Sequence, residues 1–104
     1  MNVSTTLDTR RFEQSAELLG ALADPTRLAI LDLLSETPKC VCEIGDIVAI
    51  AQNLLSYHLK VLREAGLIVG KKRGRWIDYS IAPEAWERLD RALPREYRMS
   101  EIAR

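Results

Sequence analysis

A helix that stops at Ala65-Gly66 and passes at once into two short apolar runs fixes much of what this chain can become. The runs are Leu67-Ile68-Val69 and Trp76 to Ile81, and between them stands Lys71-Lys72-Arg73-Gly74-Arg75. Glycine tolerates the left-handed backbone of a helix exit, so Gly66 suits a C-terminal stop. In the second run Trp76, Asp78 and Ser80 alternate with Ile77, Tyr79 and Ile81, the period of two that a half-buried strand requires. Arg73-Gly74 supplies the turn. The expectation is a helix backed by a β-hairpin over about residues 67–81, with a basic tip.

Upstream, the apolar spacing is helical. Phe12, Ala16, Leu19 and Leu22 or Ala23 predict a first helix from about Leu7 to Ala23. Asp24-Pro25 marks a restart, because aspartate caps free N–H groups and proline suits the first helical position. Leu28, Ile30, Leu31 and Leu34 then predict a second helix ending near Thr37-Pro38. Cys40 to Val48, with Val41, Ile44, Ile47 and Val48 apolar, reads as a short third helix. After a break at Ala49-Ile50, Leu55, Leu59 and Leu62 form the buried stripe of a fourth, Gln52 to Ala65. Pro83 opens a last helix, with Trp86, Leu89 and Leu93 on one face, ending at Pro94. Arg95 to Arg104 reads as a charged tail.

The fold class is therefore mainly α with a small β-hairpin. A chain of 104 residues is one domain by size. Its core is small enough for a second copy to help bury apolar surface. The helices over about 40–65 form a helix-turn-helix, and the hairpin makes it winged.

Net formal charge is zero, but its distribution is uneven. From Ala49 to Arg75 six basic residues stand against Glu64 alone, a local balance of +5 that the remainder must cancel. Such asymmetry is the footprint of a polyanion-binding face. A major groove about 12 Å wide admits one helix. Opposite the leucine stripe, Gln52 and Asn53 suit bidentate contact with adenine edges, and Ser56, Tyr57 and Lys60 suit bases or phosphates. Lys71, Lys72, Arg73 and Arg75 suit the DNA backbone or an adjacent minor groove. An enzyme is not expected. No Ser-His-Asp set, paired carboxylates or phosphate loop is visible, and one histidine limits acid–base chemistry.

Met1 to Arg11 is polar and lacks the apolar core of a signal peptide, and no stretch approaches the ~20 residues of a membrane span. A cytoplasmic protein is expected, in which the Asn2-Val3-Ser4 sequon has no meaning and both cysteines are reduced. Soft thiolates select As(III), Sb(III), Cd(II) or Pb(II).

Four segments together resemble the ArsR/SmtB family of metal- and metalloid-sensing repressors. Leu22-Ala-Asp-Pro-Thr-Arg-Leu-Ala-Ile-Leu31 is similar to that family's second-helix signature, and Cys40-Val-Cys-Glu-Ile44 to its third-helix sensor box. Ser56-Tyr-His-Leu-Lys-Val-Leu-Arg-Glu-Ala-Gly-Leu67 resembles the recognition helix and its exit, and Arg73-Gly-Arg-Trp76 through Tyr79-Ser80 the wing. The match runs from about Ser15 to Leu89. It implies a homodimer joined through its first and last helices, about 7–23 and 83–94, with Phe12, Leu19, Trp86, Leu89 and Leu93 at the interface. Such a dimer reads an inverted-repeat operator with half-sites about 34–36 Å apart, or a multiple of that. His58, where the family also carries histidine, is assigned to a phosphate contact or to packing. The family often caps the recognition helix with Ser or Thr. Here Ile50-Ala51 precede Gln52, and a missing cap costs about 1 kcal/mol.

The resemblance makes Cys40 and Cys42 the sensor and an As(III) or Sb(III) inducer the leading expectation. Gly45 stands where the arsenic-type box often adds a third cysteine. The last helix has no histidine, so the family's zinc site at the dimer interface is not expected. Cd(II) or Pb(II), oxidation of the pair, a metal-independent repressor and a protein–protein adaptor stay open as alternatives, as do cysteines that only fill space. A Cys-x-Cys disulfide is strained, and only Lys39 stands nearby to lower a thiol pKa. In a regular helix residues i and i+2 point about 200° apart. Holding one ion through both sulfurs is therefore expected to require Cys40 to leave the helical path, or the start of the third helix to unwind, and that conflict is the expected switch.

Overall fold

A computed structural model describes residues 7–94. The sequon at Asn2 and the tail from Arg95 lie outside them. A single 3-10 turn, Thr9–Phe12, leads into α1, Glu13–Leu22, followed by α2, Pro25–Leu34. The strand β1, Lys39–Cys40, precedes α3, Val41–Val48, and α4, Gln52–Glu64. The hairpin is β2, Ile68–Arg73, and β3, Trp76–Ile81, and α5 spans Ala85–Ala92. The expected order of helices and hairpin holds. No helix of the described residues is long and apolar enough to cross a membrane.

Three boundaries differ from expectation for local reasons. The first helix begins at Glu13 rather than Leu7, because the Asp8 carboxylate accepts the Arg10 N–H at 3.0 Å and folds the entry into a 3-10 turn. The last helix begins at Ala85 rather than at Pro83. The third helix begins at Val41, and Cys40 lies outside it in a strand that no periodicity announced. That strand pairs antiparallel with β3, Lys39 opposite Tyr79 and Cys40 opposite Asp78. The sheet is thus three-stranded in the order β1-β3-β2.

Local chemistry explains the joints. Asp24 accepts the N–H groups of Thr26 and Arg27 at 2.9 and 3.1 Å, and Pro25 opens α2 behind it. At the end of α4, Gly66 N–H donates to Arg63 C=O and Leu67 N–H to Leu62 C=O, each at 3.0 Å. This is the paired closure of a Schellman motif, with Gly66 left-handed at φ 76°. Arg88 of α5 then donates to Gly66 C=O at 2.9 Å and Ala65 C=O at 3.0 Å, ending α4 a second time from outside. In the wing, Gly74 takes φ 63° at the two-residue turn between Arg73 and Trp76. Positive φ at that place matches the turn to the twist of the flanking strands.

One core joins these elements. Ile30, Leu31 and Leu34 of α2 meet Ile44 of α3 and Leu55, Leu59 and Leu62 of α4. Leu67, Ile68 and Tyr79 bring the wing's base onto it, and Leu18, Ala21, Ala85 and Leu89 close it from α1 and α5. The helix-turn-helix is therefore held on three sides while the outer face of α4 stays open.

Two left-handed residues give a contrast in sign. Ala49 ends α3 at φ 59°, ψ 52°, where a Cβ costs about 1–2 kcal/mol. Ala49→Gly should raise the unfolding free energy by about 1 kcal/mol in urea melts at fixed protein concentration. Gly66→Ala should lower it by about 1–2 kcal/mol. Its Cβ would meet Arg88 Nη1 at 2.6 Å and push the guanidinium off its carbonyls.

Candidate nucleic-acid interface and thiol site

Because Leu55, Leu59 and Leu62 anchor one face of α4, its other face is set without further help. Gln52, Asn53, Ser56, Tyr57 and Lys60 are all exposed there. Ala51 supplies no side-chain cap, as its residue type implies. Lys71, Lys72 and Arg75 are exposed on the hairpin.

Two residues expected to face DNA are engaged elsewhere. The His58 side chain is only 13% exposed and turns toward α2. Its Nδ1 lies 3.0 Å from Arg27 Nη1 and 3.9 Å from Asp24 Oδ2. A guanidinium only donates, so Nδ1 is the acceptor in the contact with Arg27. Arg27 also donates to the carbonyls of Ala21 at 2.6 Å and Gly20 at 3.4 Å, which ties the end of α1 to α4. The packing assignment for His58 is therefore the correct one. Its spacing carried the signal: His58 stands three residues after Leu55 and four before Leu62, inside the buried stripe. The second is Arg73, whose fork is occupied by Asp78, Nε to Oδ2 at 2.6 Å and Nη2 to Oδ1 at 3.0 Å. This clamp holds the Asp78 carboxyl below its ordinary range.

The expected interface residues also divide. Phe12 and Trp86 are 42% and 51% exposed. Phe12 and Leu93 line a groove of ≈ 580 Å³ with Leu7, Ala92 and Pro94. Leu19 is half-buried against the core. Leu89, at 8%, belongs to the protomer's own core, because Ala85 and Leu89 turn inward while Trp86 faces out.

Cys40 and Cys42 are both free thiols, the first buried and the second exposed. Cys40 occupies the N-cap of α3 with an extended backbone, φ −78° and ψ 161°. The divergence expected of i and i+2 in a helix does not arise, because only Cys42 is in the helix. Cys40 already lies off the helical path, the first of the two expected conditions for both sulfurs to hold one ion. The Cys40 N–H donates to Glu43 Oε1 at 2.9 Å, and this contact above all holds the Glu43 carboxyl below its usual range. The Cys40-to-Glu43 spacing of three was the signal for a capping box. The Cys42 thiol is pushed up, first by its hydrogen bond with the Cys40 side chain and then by burial. Reactive, oxidation-prone cysteines show the opposite shift. Among the described residues no group of three or more His, Cys, Asp and Glu side chains converges. Cys42 instead opens on a groove of ≈ 410 Å³ lined by Val41, Ile50, Leu55, Gln52 and Trp76, which joins thiol site, helix-turn-helix and wing. The sequence placed Trp76 in the wing and Ile50 in the turn but assigned neither to a site.

A family model described as bacterial regulatory protein, arsR family, matches residues 24–69. The chain is 41% identical over 76 residues to the arsenical resistance operon repressor of Bacillus subtilis, covering 72% of this chain and 70% of that one. This chain belongs to the ArsR family. It is also 43% identical over 70 residues to the repressor SmtB of Mycobacterium tuberculosis, covering 67% of this ArsR-family chain and 52% of that one. It thus spans about half the length of that relative. Among solved structures, the homodimeric winged helix-turn-helix DNA-binding domain from Mycobacterium bovis matches with a TM-score of 0.69 and 30% identity, covering 86% of this chain and 82% of that one. Family and fold are those of DNA-binding transcriptional regulators rather than enzymes.

The Asp24 cap gives a pH signature. The Arg27 backbone N–H holds the Asp24 carboxyl below its ordinary range, and partial burial opposes this. A lowered folded-state value means that the stabilisation is complete above the unfolded carboxyl's range and is lost as pH falls through the folded one. Asp24→Ala should therefore lower the urea midpoint at pH 7, with the gap to wild type closing in acid.

Proposed function

We propose that this ArsR-family protein is a cytoplasmic, homodimeric repressor that binds an inverted-repeat operator and releases it when Cys40 and Cys42 capture As(III) or Sb(III). Residues 7–94 act as one winged helix-turn-helix unit. The groove around Phe12 and Leu93, with the exposed Trp86, supports a dimer through the first and last helices. A second copy places two α4 helices and two wings on one face of a duplex. Gln52, Asn53, Ser56, Tyr57 and Lys60 contact bases and nearby phosphates, and Lys71, Lys72 and Arg75 hold the backbone.

The observation that carries the inducer is the thiol pair itself. Cys40 stands outside α3 at its N-cap, and Cys42 follows two residues later in the first turn, so the two thiols belong to one short segment. A pair of thiols suits a trivalent metalloid hydroxide. Each condensation forms one sulfur–metalloid bond and releases one water, with no net loss of protons. Cd(II) and Pb(II) instead require both thiols to lose protons, in a place that raises the Cys42 thiol and where, among the described residues, no third ligand converges.

Fluorescence anisotropy on operator DNA under reducing conditions tests this. Arsenite should weaken wild-type binding by about 5- to 150-fold and leave Cys40→Ser/Cys42→Ser unaffected. Serine is a better N-cap than cysteine, so the variant should keep its fold. Release by Cd(II) but not by arsenite would replace the metalloid, and no DNA binding at all would favour a protein–protein adaptor. Independently, Lys71→Gln and Lys72→Gln should each reduce the slope of log affinity against log salt by about one.

A further inference from the structure

The sensor cysteine and the wing share one sheet. β3 is its central strand, with β2 on one side and Lys39–Cys40 on the other. Asp78 is the crossing point, opposite Cys40 in one ladder and Lys71 in the other. Its carboxylate grips both donors of the Arg73 fork. Bidentate guanidinium–carboxylate pairs are directional, so Asp78 decides where Arg73 points. Arg73 remains 60% exposed near the wing tip, beside Lys72 and Arg75, yet its fork is turned inward. Across the bridge, Glu43 holds the Cys40 N–H at 2.9 Å. Cys40, Asp78 and Arg73 thus form a continuous path from thiol to wing tip.

We propose that occupancy of the thiol site reaches DNA through the wing, with Asp78 as the positioning residue. This rests on the repressor reading above. Capture of one ion by both sulfurs draws Cys40 toward Cys42 and breaks its contacts with Glu43. A two-residue strand offers little pairing to resist that shift, so displacement of Cys40 passes into Asp78. Through the clamp Asp78 then carries the Arg73 side of the wing tip with it, away from the duplex, and the two states differ in how Lys71, Lys72 and Arg75 meet phosphate. Recognition-helix contacts specify sequence in both states.

Anisotropy titrations at several salt concentrations, with and without arsenite, test this on the full chain. Asp78→Asn keeps the side-chain size and backbone pairing but loosens the clamp. Without arsenite it should bind operator more tightly, with a salt slope steeper by about one phosphate contact. Its weakening by arsenite should fall below about a third of the wild-type factor. Arg73→Gln should lose a similar share of the response, and the double variant no more than either single one, the signature of a shared route. Arsenite titration of the free proteins, followed by thiol–metalloid absorbance, should give wild-type affinity throughout. An undiminished arsenite response in Asp78→Asn, or weaker DNA binding at an unchanged slope, overturns the wing route and leaves the repressor reading standing. A wild type that holds its operator regardless of arsenite overturns both.

Discussion

The leucine stripe of α4 is the contact on which the rest is built. Leu55, Leu59 and Leu62 are almost wholly buried against α2, α3 and the wing's base. Each contributes roughly 1.5–3 kcal/mol by leaving water. Together they fix the rotation of α4 about its own axis, and with a period of 3.6 that settles which side chains can look outward. The residues proposed to read bases need no positioning of their own. They inherit it from a core that would be apolar in any case.

Fixing the rotation does not fix the ends. Two arginines complete the frame from other helices. Arg27 joins the carbonyl end of α1 to His58 in the middle of α4, and Arg88 of α5 holds the carbonyls at the exit of α4. Each charged fork meets oxygen or nitrogen acceptors that would otherwise be left open at a helix end or inside the fold. The helices proposed for dimer contact are thereby attached to the one proposed to read DNA, by directional bonds rather than by packing alone.

Much of this was legible in the sequence, and what was not had physical reasons. Long periodic segments announce themselves, so the four main helices and the hairpin could be read directly, as could the Asp24-Pro25 restart and the Gly66 exit. A strand of two residues has no period, so β1 was invisible, and with it the extended backbone of Cys40. Leu89 was placed on the dimer face because membership of an apolar face was weighed before position in the turn, and the polarity of His58 left it between a phosphate contact and packing. Their spacing to Leu62 and Ala85 points inward. Arg73 was counted as a free cation because its partner, Asp78, lies across a turn, where only the strand register brings the two together. The family's likeness gave the thiol pair its role but not its geometry.

The wing's shape has a consequence for the solubility of the chain. β2 is an edge strand: one side pairs with β3, and the other leaves backbone N–H and C=O groups unmatched. Such an edge is a template for pairing with another molecule, and lysine is among the residues that prevent it. Lys71 and Lys72 sit in the middle of that edge, exposed, between the apolar Ile68-Val69 and the turn. The side chains proposed to hold phosphate therefore also keep two wings from zipping together. A chain stripped of them to silence DNA binding would present a bare strand to its neighbours, and its loss of activity would be hard to tell from its aggregation.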